Sequence, residues 1–344
     1  MKCVLFCQNN YAFGIFEPIR NHLKDNGHDF IWYVNEKISN DFPFKNEKNT
    51  SLISDLELYK SDVIFVPGNE VPHYLRGLKV QIFHGLAGEK KGHFRIRHYF
   101  DLYLTQGPYF TKKFNELKSI YKDFEVIETG WPKLDIYGTN KFIYDEEKNK
   151  LLEKFNAKKI ILYAPTFSPK LTSAPHLTEQ IKTLSENKDY LILMKFHPLM
   201  DKNWLSIYKE IADKTDNIIF ESEKNIVKFL LMADILVSDT SSVIYEFLLL
   251  DKPVISFKNI SETILWENSI DYSELIPLVE KNLNTDPFSK ERKFIFENYH
   301  PYNDGKSAQR MVDAVENYIK INGVPEKRKI SLFRRYKIHS IFKK

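Results

Sequence analysis

ADILVSDTSSVIYEFLLLDKPVISF, residues 233–257, decides the fold. The apolar run 233–237 ends on the polar cluster Ser238, Asp239 and Thr240. A segment of helical period follows over 242–250, and a short β-branched run begins after Pro253. Strand, helix and strand in so short a span is the repeating unit of an α/β fold with a parallel sheet. Upstream, KKIILYAPT (158–166), YLILMKFHP (190–198) and DNIIFES (216–222) read as further strands, separated by helical segments at 203–213 and 225–232. Before the charged stretch YDEEKNK (144–150) the same rhythm runs through KCVLFC (2–7), HDFIWYV (28–34), DVIFVPG (62–68), KVQIFHG (79–85), FDLYLT (100–105) and FEVIETG (124–130). Helical period over 15–25 and 108–119 separates several of these runs.

Two Rossmann-type doubly wound α/β domains facing a central cleft are therefore expected. The first covers residues 1–140 and the second 150–300. A terminal helix within 301–323 crosses back onto the first, and a basic, aromatic tail occupies 324–344. A length of 344 residues suits two cores better than one. With 43% hydrophobic and 28% charged residues the chain has a globular composition. Cys3 and Cys7, four apart in the first strand, share a face and read as buried thiols rather than a disulfide or metal pair. No run of about twenty apolar residues occurs, and MKCVLFCQNN lacks the features of a secretory leader, which predicts a cytoplasmic chain. There is no Asp-x-Asp pair, no metal-spaced cluster, no GxGxxG after the first strand and no GxxxxGK[ST]. Neither a metal nor a cofactor is expected, and dehydrogenase and P-loop readings lose support.

Ligands of open α/β sheets bind at the carboxyl ends of the strands, so polar residues there carry the most weight. At Ser238, Asp239 and Thr240 a strand runs straight into a helix starting near Ser241, a junction whose free amides and dipole favour phosphate, with the Ser241 and Ser242 hydroxyls as added donors. The plainer reading makes Asp239, Thr240 or a serine an N-cap. Glu246, one turn past Ser242, reads either as a ribose ligand or as a solvated helix charge. His197 ends YLILMKF, and Pro198 fixes the exit from that strand. Lys195 alternates onto the same face, as added positive charge or as a surface lysine. His84, followed by Gly85 at a tight turn, is the first domain's candidate general base, since a neutral imidazole is suited to taking a proton near neutral pH. Gly88, Lys90, Lys91 and Gly92 read as a basic loop, for phosphate or for solvent.

As a set, these motifs resemble the CDP-glycerol glycerophosphotransferase family, GT-B-fold enzymes that make teichoic acids and related capsule polymers. The matching pieces, in order, are His84-Gly85, TGWPKLD (129–135), YAPTF (163–167), FHP (196–198), SDTSSVIYEFLLLDKPVISF (238–257) and DGKSAQR (304–310). The resemblance covers roughly residues 80–320. It implies that His84 acts as base toward an acceptor hydroxyl, that His197, Ser241 and Ser242 bind the donor diphosphate, and that Thr166 and Arg310 line the same pocket. The implied reaction transfers glycerol phosphate or ribitol phosphate from a CDP-linked donor to a hydroxyl of a surface polymer or lipid-linked acceptor, releasing CMP. Leu86-Ala87-Gly88 stand where the family has Thr, and Phe167-Ser168 where it has Trp-Arg. A GT-B glycosyltransferase using a nucleotide sugar is the alternative, and a silent binding protein on the same scaffold a third reading.

Eight lysines and arginines against Glu326 alone give the tail 324–344 a net +7, so the rest of the chain sums to −3. Leu332, Phe333 and Tyr336 fall on one side of a notional helix and Ile338, Ile341 and Phe342 on another, which predicts a break or a loosely ordered arm. Basic and aromatic residues together suit peripheral contact with an anionic membrane, or packing on the first domain. A nucleic-acid partner is not expected, because the excess of positive charge is confined to this end.

Overall fold

The computed structural model describes residues 1–88, 92–138, 140–223 and 225–342. Its contacts divide the chain into two compact units, Met1–Thr139 with Asn298–Lys344, and Asn140–Glu297.

The first unit holds seven parallel strands: β1 (Lys2–Cys7), β2 (Asp29–Val34), β3 (Asn49–Thr50), β4 (Val63–Val66), β5 (Leu78–Gln81), β6 (Leu102–Thr105) and β7 (Glu125–Glu128). They lie in the order β3-β2-β1-β4-β5-β6-β7. The second unit repeats the pattern with β8 (Lys159–Tyr163), β9 (Tyr190–Met194), β10 (Ile218–Phe220), β11 (Ile235–Ser238), β12 (Val254–Phe257) and β13 (Glu267–Ser269), in the order β10-β9-β8-β11-β12-β13. Helices on both faces are why β4, β5, β6 and β11 are buried along their whole length and read as nearly unbroken apolar runs. Each sheet has one switch point, where successive connections leave in opposite directions. It lies between β1 and β4 in the first unit and between β8 and β11 in the second.

Cys3 and Cys7 are buried free thiols, and burial pushes Cys3 up to about 12 and Cys7 well above its ordinary value. Both are therefore protonated and inert at neutral pH. The charged stretch 144–150, expected as a boundary, belongs to a helix, Asp145–Phe155, whose first turn carries Asp145, Glu146 and Glu147. Three carboxylates there suit the positive end of the helix dipole. Two short elements went unforeseen: the edge strand β3 and the edge strand β13.

The terminal helix expected within 301–323 is the helix Ser307–Asn322. Its start is delayed because Gly305 adopts φ +70°, with Asp135 O 3.0 Å from where a Cβ would stand. The tail corrects an expectation. Instead of a break, residues Leu332–Phe342 form one continuous helix. The two apolar clusters are its two faces. Ile338 is fully buried in the first unit's core and Phe342 packs against it, 5.7 Å from Phe6, while Leu332, Phe333 and Tyr336 stay 79%, 78% and 76% exposed. Among the described residues no helix is long and apolar enough to cross a membrane.

Candidate functional site

At the second unit's switch point, the segment after β8 meets the segment after β11. The Ser238 hydroxyl donates to Ala164 O at 2.7 Å. The Asp239 carboxylate accepts from Thr166 N at 2.9 Å, Ser173 N at 2.8 Å and Ser173 Oγ at 2.9 Å. Asn259 Nδ2 donates to Asp239 O at 2.6 Å. Ser238 and Asp239 are fully buried, so their side chains do not face a ligand as the sequence suggested. They tie three strand-end segments together. Burial pushes Asp239 up to about 6, against the lowering effect of the amides that it accepts from.

What those ties present is the stretch Thr240, Ser241 and Ser242. Thr240 Oγ1 is buried without a hydrogen-bond partner among the described residues. Both serines are half-buried, and Ser241 Oγ accepts weakly from Val243 N at 3.4 Å, so neither Asp239 nor Thr240 supplies the N-cap. The helix that follows, Val243–Leu248, is shorter than the 242–250 read from the sequence. With under two turns its dipole is small, and any anion seat here rests on local amides and hydroxyls. Glu246 is buried, which excludes the solvated-charge reading.

His197 follows β9 on a turn. Its Nδ1 accepts from Leu199 N at 3.1 Å, and its ring stacks on Phe167 with centroids 4.4 Å apart. Because a backbone N–H occupies the Nδ1 lone pair, the proton of the neutral ring sits on Nε2, making that atom a donor. Burial first, and the Lys195 charge second, lower the His197 pKa and keep the ring neutral. Lys195 itself is buried, with Nζ donating to Phe196 O at 3.1 Å, and is no surface lysine.

In the first unit β5 ends at Gln81, earlier than the run 79–85 suggested. Phe83 then takes φ +60°, a rare conformation for a bulky residue that costs roughly 1–3 kcal/mol. That reversal buries the Phe83 ring and leaves His84 exposed. His84 Nδ1 lies 2.9 Å from Pro67 O, which can only accept, so Nδ1 carries the proton and Nε2 keeps its lone pair. Pro67 directly follows β4, so His84 is turned toward the first unit's switch point. Gln81 Nε2 donates to the same carbonyl at 3.3 Å, Gln106 Nε2 donates to Gly85 O at 3.0 Å, and the Tyr11 ring lies 5.2 Å from the imidazole. Gly88 is packed tightly, since a Cβ there would stand 2.7 Å from Tyr109 Cε1. Lys90 and Lys91 lie outside the described residues.

The segments 129–135 and 304–310 lock onto each other within the first unit. Asp135 accepts from Ser307 N and Ala308 N, both at 2.8 Å, capping the helix Ser307–Asn322. Arg310 donates to Thr129 O at 2.8 Å and to Asp304 Oδ2 at 2.7 Å, and lies 4.1 Å over the Tyr302 ring. Its guanidinium is thus bound within this lock.

Sequence reasoning missed Pro67, Gln106 and Ser173. Gln106 follows the strand run FDLYLT and was open to the same strand-end logic that found His84. Pro67 acts through its carbonyl, and Ser173 lies in a long connection without periodicity, so neither left a signal.

The model of the CDP-glycerol:poly(glycerophosphate) glycerophosphotransferase family matches residues 80–263, more than half the chain and a stretch that includes His84, His197 and the 238–242 segment. A teichoic acid glycerol-phosphate primase of Bacillus subtilis is 30% identical over 237 residues, covering 61% of this chain and 58% of the primase. A teichoic acid poly(ribitol-phosphate) polymerase of Bacillus spizizenii is 30% identical over 214 residues, covering 55% of this chain and 33% of the polymerase. The chain thus spans only part of the length of these relatives. The wall teichoic acid polymerase TagF has the same fold, with a TM-score of 0.64, 17% identity, and coverage of 93% of this chain and 89% of that one. With two parallel sheets in the GT-B manner and the family's match running through both histidine turns, the chain is a member of the CDP-glycerol:poly(glycerophosphate) glycerophosphotransferase family.

Proposed function

We propose that the protein transfers a polyol phosphate, glycerol phosphate or ribitol phosphate, from a CDP-linked donor to a hydroxyl of a polymer or lipid-linked acceptor. The observation that carries this reading is the pair of Nδ1 contacts, His84 against a carbonyl and His197 against a backbone N–H, which imply opposite tautomers. His84 offers a bare Nε2 and His197 offers an Nε2–H. In the proposed step the acceptor oxygen attacks the phosphorus bearing the polyol, and His84 Nε2 takes the acceptor's proton. The P–O bond to the nucleotide phosphate breaks, and CMP leaves with the bonding pair. His197 Nε2–H donates to the phosphate oxygens, where charge develops. Thr166, Ser241 and Ser242 are the proposed donor-binding groups, with Thr240 beside them. Ser238 and Asp239 shape that segment without touching the donor, Lys195 contributes its field, and Glu246 supports the short helix that follows. Gly85 lets the acceptor approach, since nothing stands within 4 Å of where its Cβ would be. Arg310 is assigned to holding 129–135 in place. Phosphoryl transfer asks mainly for positioning and donors, and no metal is invoked.

The relatives named above act on glycerol phosphate or ribitol phosphate, which supports this reading over a nucleotide-sugar glycosyltransferase. The tail is proposed to touch an anionic membrane surface through Leu332, Phe333 and Tyr336 and the basic residues beside them, placing the enzyme at the inner face of a cell membrane. A donor panel tests the reaction. CDP-glycerol, CDP-ribitol, UDP-sugars and GDP-sugars are supplied in turn with a lipid-linked polyol phosphate acceptor, and the released nucleotide is identified. CMP from a CDP-polyol is expected, and release of UDP or GDP without CMP would sink the proposal.

A further inference from the structure

We infer that residues 325–342 form a clasp that positions His84, with Arg334 and Arg328 as its positioning residues. The consequence for catalysis rests on the role proposed for His84, whereas the clasp itself rests on contacts within one unit.

Arg328 is 9% exposed, and its backbone amide donates to His73 O at 2.9 Å. Its guanidinium donates to His98 O at 2.7 Å, Asp123 O at 2.7 Å and Asp123 Oδ2 at 3.0 Å, and pairs with Asp101. Six residues on, Arg334 donates from Nη1 to Arg97 O at 2.5 Å. The tail therefore grips two consecutive carbonyls, those of Arg97 and His98, at the end of the segment leading away from the His84 turn.

From there the hold runs back toward the imidazole. Arg97 Nη1 donates to Gly92 O at 3.2 Å. His93, next in the chain, stacks on Phe83 with centroids 5.2 Å apart and rings 9° from parallel, and also contacts Phe110 and Phe114. Phe83 is the residue whose left-handed backbone aims His84. A strained turn persists only where its surroundings over-determine it, and the His93 stack is one of those surroundings, beside Tyr103 and Phe114. The tail helix is held to the same unit by Ile338 in its core and by Lys337, 3.3 Å from Glu70. Neither arginine has a place in the proposed chemistry, yet both fasten a segment that braces the base.

Arg334→Met, which keeps the bulk and removes the donor, is compared with Arg334→Lys by hydrogen exchange and by CMP release from the preferred CDP-polyol. Arg334→Met is expected to speed exchange in 82–98 but not in 160–257, and to lower kcat about tenfold, since a small displacement of a reacting group is costly. The donor KM should stay within twofold and the melting temperature unchanged, with Arg334→Lys recovering most of the rate. Unchanged exchange in 82–98, an unchanged kcat, or no recovery with lysine overturns the inference. A full-length enzyme that releases no CMP defeats the transferase reading instead, and the exchange comparison still decides the clasp.

Discussion

Both sheets put their first four strands in the same spatial order, yet their switch points are fastened in different ways. In the second unit the ties cross directly from strand end to strand end, with Ser238 and Asp239 after β11 bonding to Ala164 and Thr166 after β8. In the first unit the His84 turn is tied directly to Pro67 after β4 and to Gln106 after β6, and is braced from further off by the tail helix through the 92–98 segment. One sheet thus holds a rim tied together through Asp239, where we propose the donor binds, and the other a turn with Phe83 at positive φ, where we propose the base stands. A shared topology fixes where a ligand goes, while the side chains that close each switch point decide what happens there.

Replacing each histidine by alanine breaks the comparison most directly. His84→Ala is expected to lower kcat by roughly 10²–10⁴, the range for loss of a positioned base, while CDP affinity measured by calorimetry stays unchanged. His197→Ala should weaken CDP binding as well as the rate, because its Nε2–H is assigned to the phosphates. Equal losses of CDP affinity in both variants would contradict the division of roles between the units.

The second unit's rim should fail as a unit. Asp239→Ala leaves the half-buried Thr166 amide and the buried Ser173 amide without their acceptor, each unsatisfied group costing about 1–3 kcal/mol, while the Ser173 hydroxyl keeps Tyr163 as a partner. We expect destabilisation of about 3 kcal/mol or more by denaturant titration, and loss of CDP binding even though the carboxylate touches no ligand. A stable variant that still bound CDP would show that the rim is not what shapes Ser241 and Ser242.

Acid should separate the two units. Burial lowers His73 and His300 to about 4 and His93 to about 3, all in the first unit. A histidine with a lowered folded pKa contributes stability that is present above about 6.5 and lost as pH falls toward the folded value, at up to about 1.4 kcal/mol per pH unit for each proton. In the second unit His197 is lowered as well, but Asp239 runs the other way. With a folded pKa raised to about 6, its contribution is complete below 3.8 and lost as pH rises through 6. Between pH 7 and 5, hydrogen exchange should therefore accelerate in β1 and β4 before it does in β8 and β11. Simultaneous acceleration would mean that these buried groups do not govern acid unfolding.

Much of this architecture was legible because parallel strands buried on both faces leave long apolar runs, and eleven of the thirteen strands among the described residues answer to runs read from the sequence. β3 and β13, of two and three residues at sheet edges, carry too little periodicity to read. His84 and His197 were visible as polar residues closing such runs. Direction was not visible. Asp239 and Ser238 sit in the right segment with their side chains turned inward, and nothing in a local pattern reports that Thr166 and Ser173 wait there as partners. Arg310 was found by motif and placed by its neighbours, which belong to the first unit. The Phe83 backbone and the Pro67 carbonyl, which together fix the His84 tautomer, have no side-chain signature at all.

The smallest effect on the folded protein should come from the outward face of the tail helix. Leu332, Phe333 and Tyr336 support no core, so changing all three to serine should leave the melting temperature within about 1 °C, the range of neutral surface substitutions. Vesicle binding is another matter. Each basic residue near an anionic leaflet contributes about 1 kcal/mol and each buried apolar side chain adds to that, so the triple variant should partition at least about tenfold more weakly onto phosphatidylglycerol vesicles. Raising salt should weaken what attraction remains, since that part is electrostatic. Undiminished binding by the variant would shift the contact elsewhere on the chain and leave this helix with its inward task alone, holding Arg334 against the 92–98 segment.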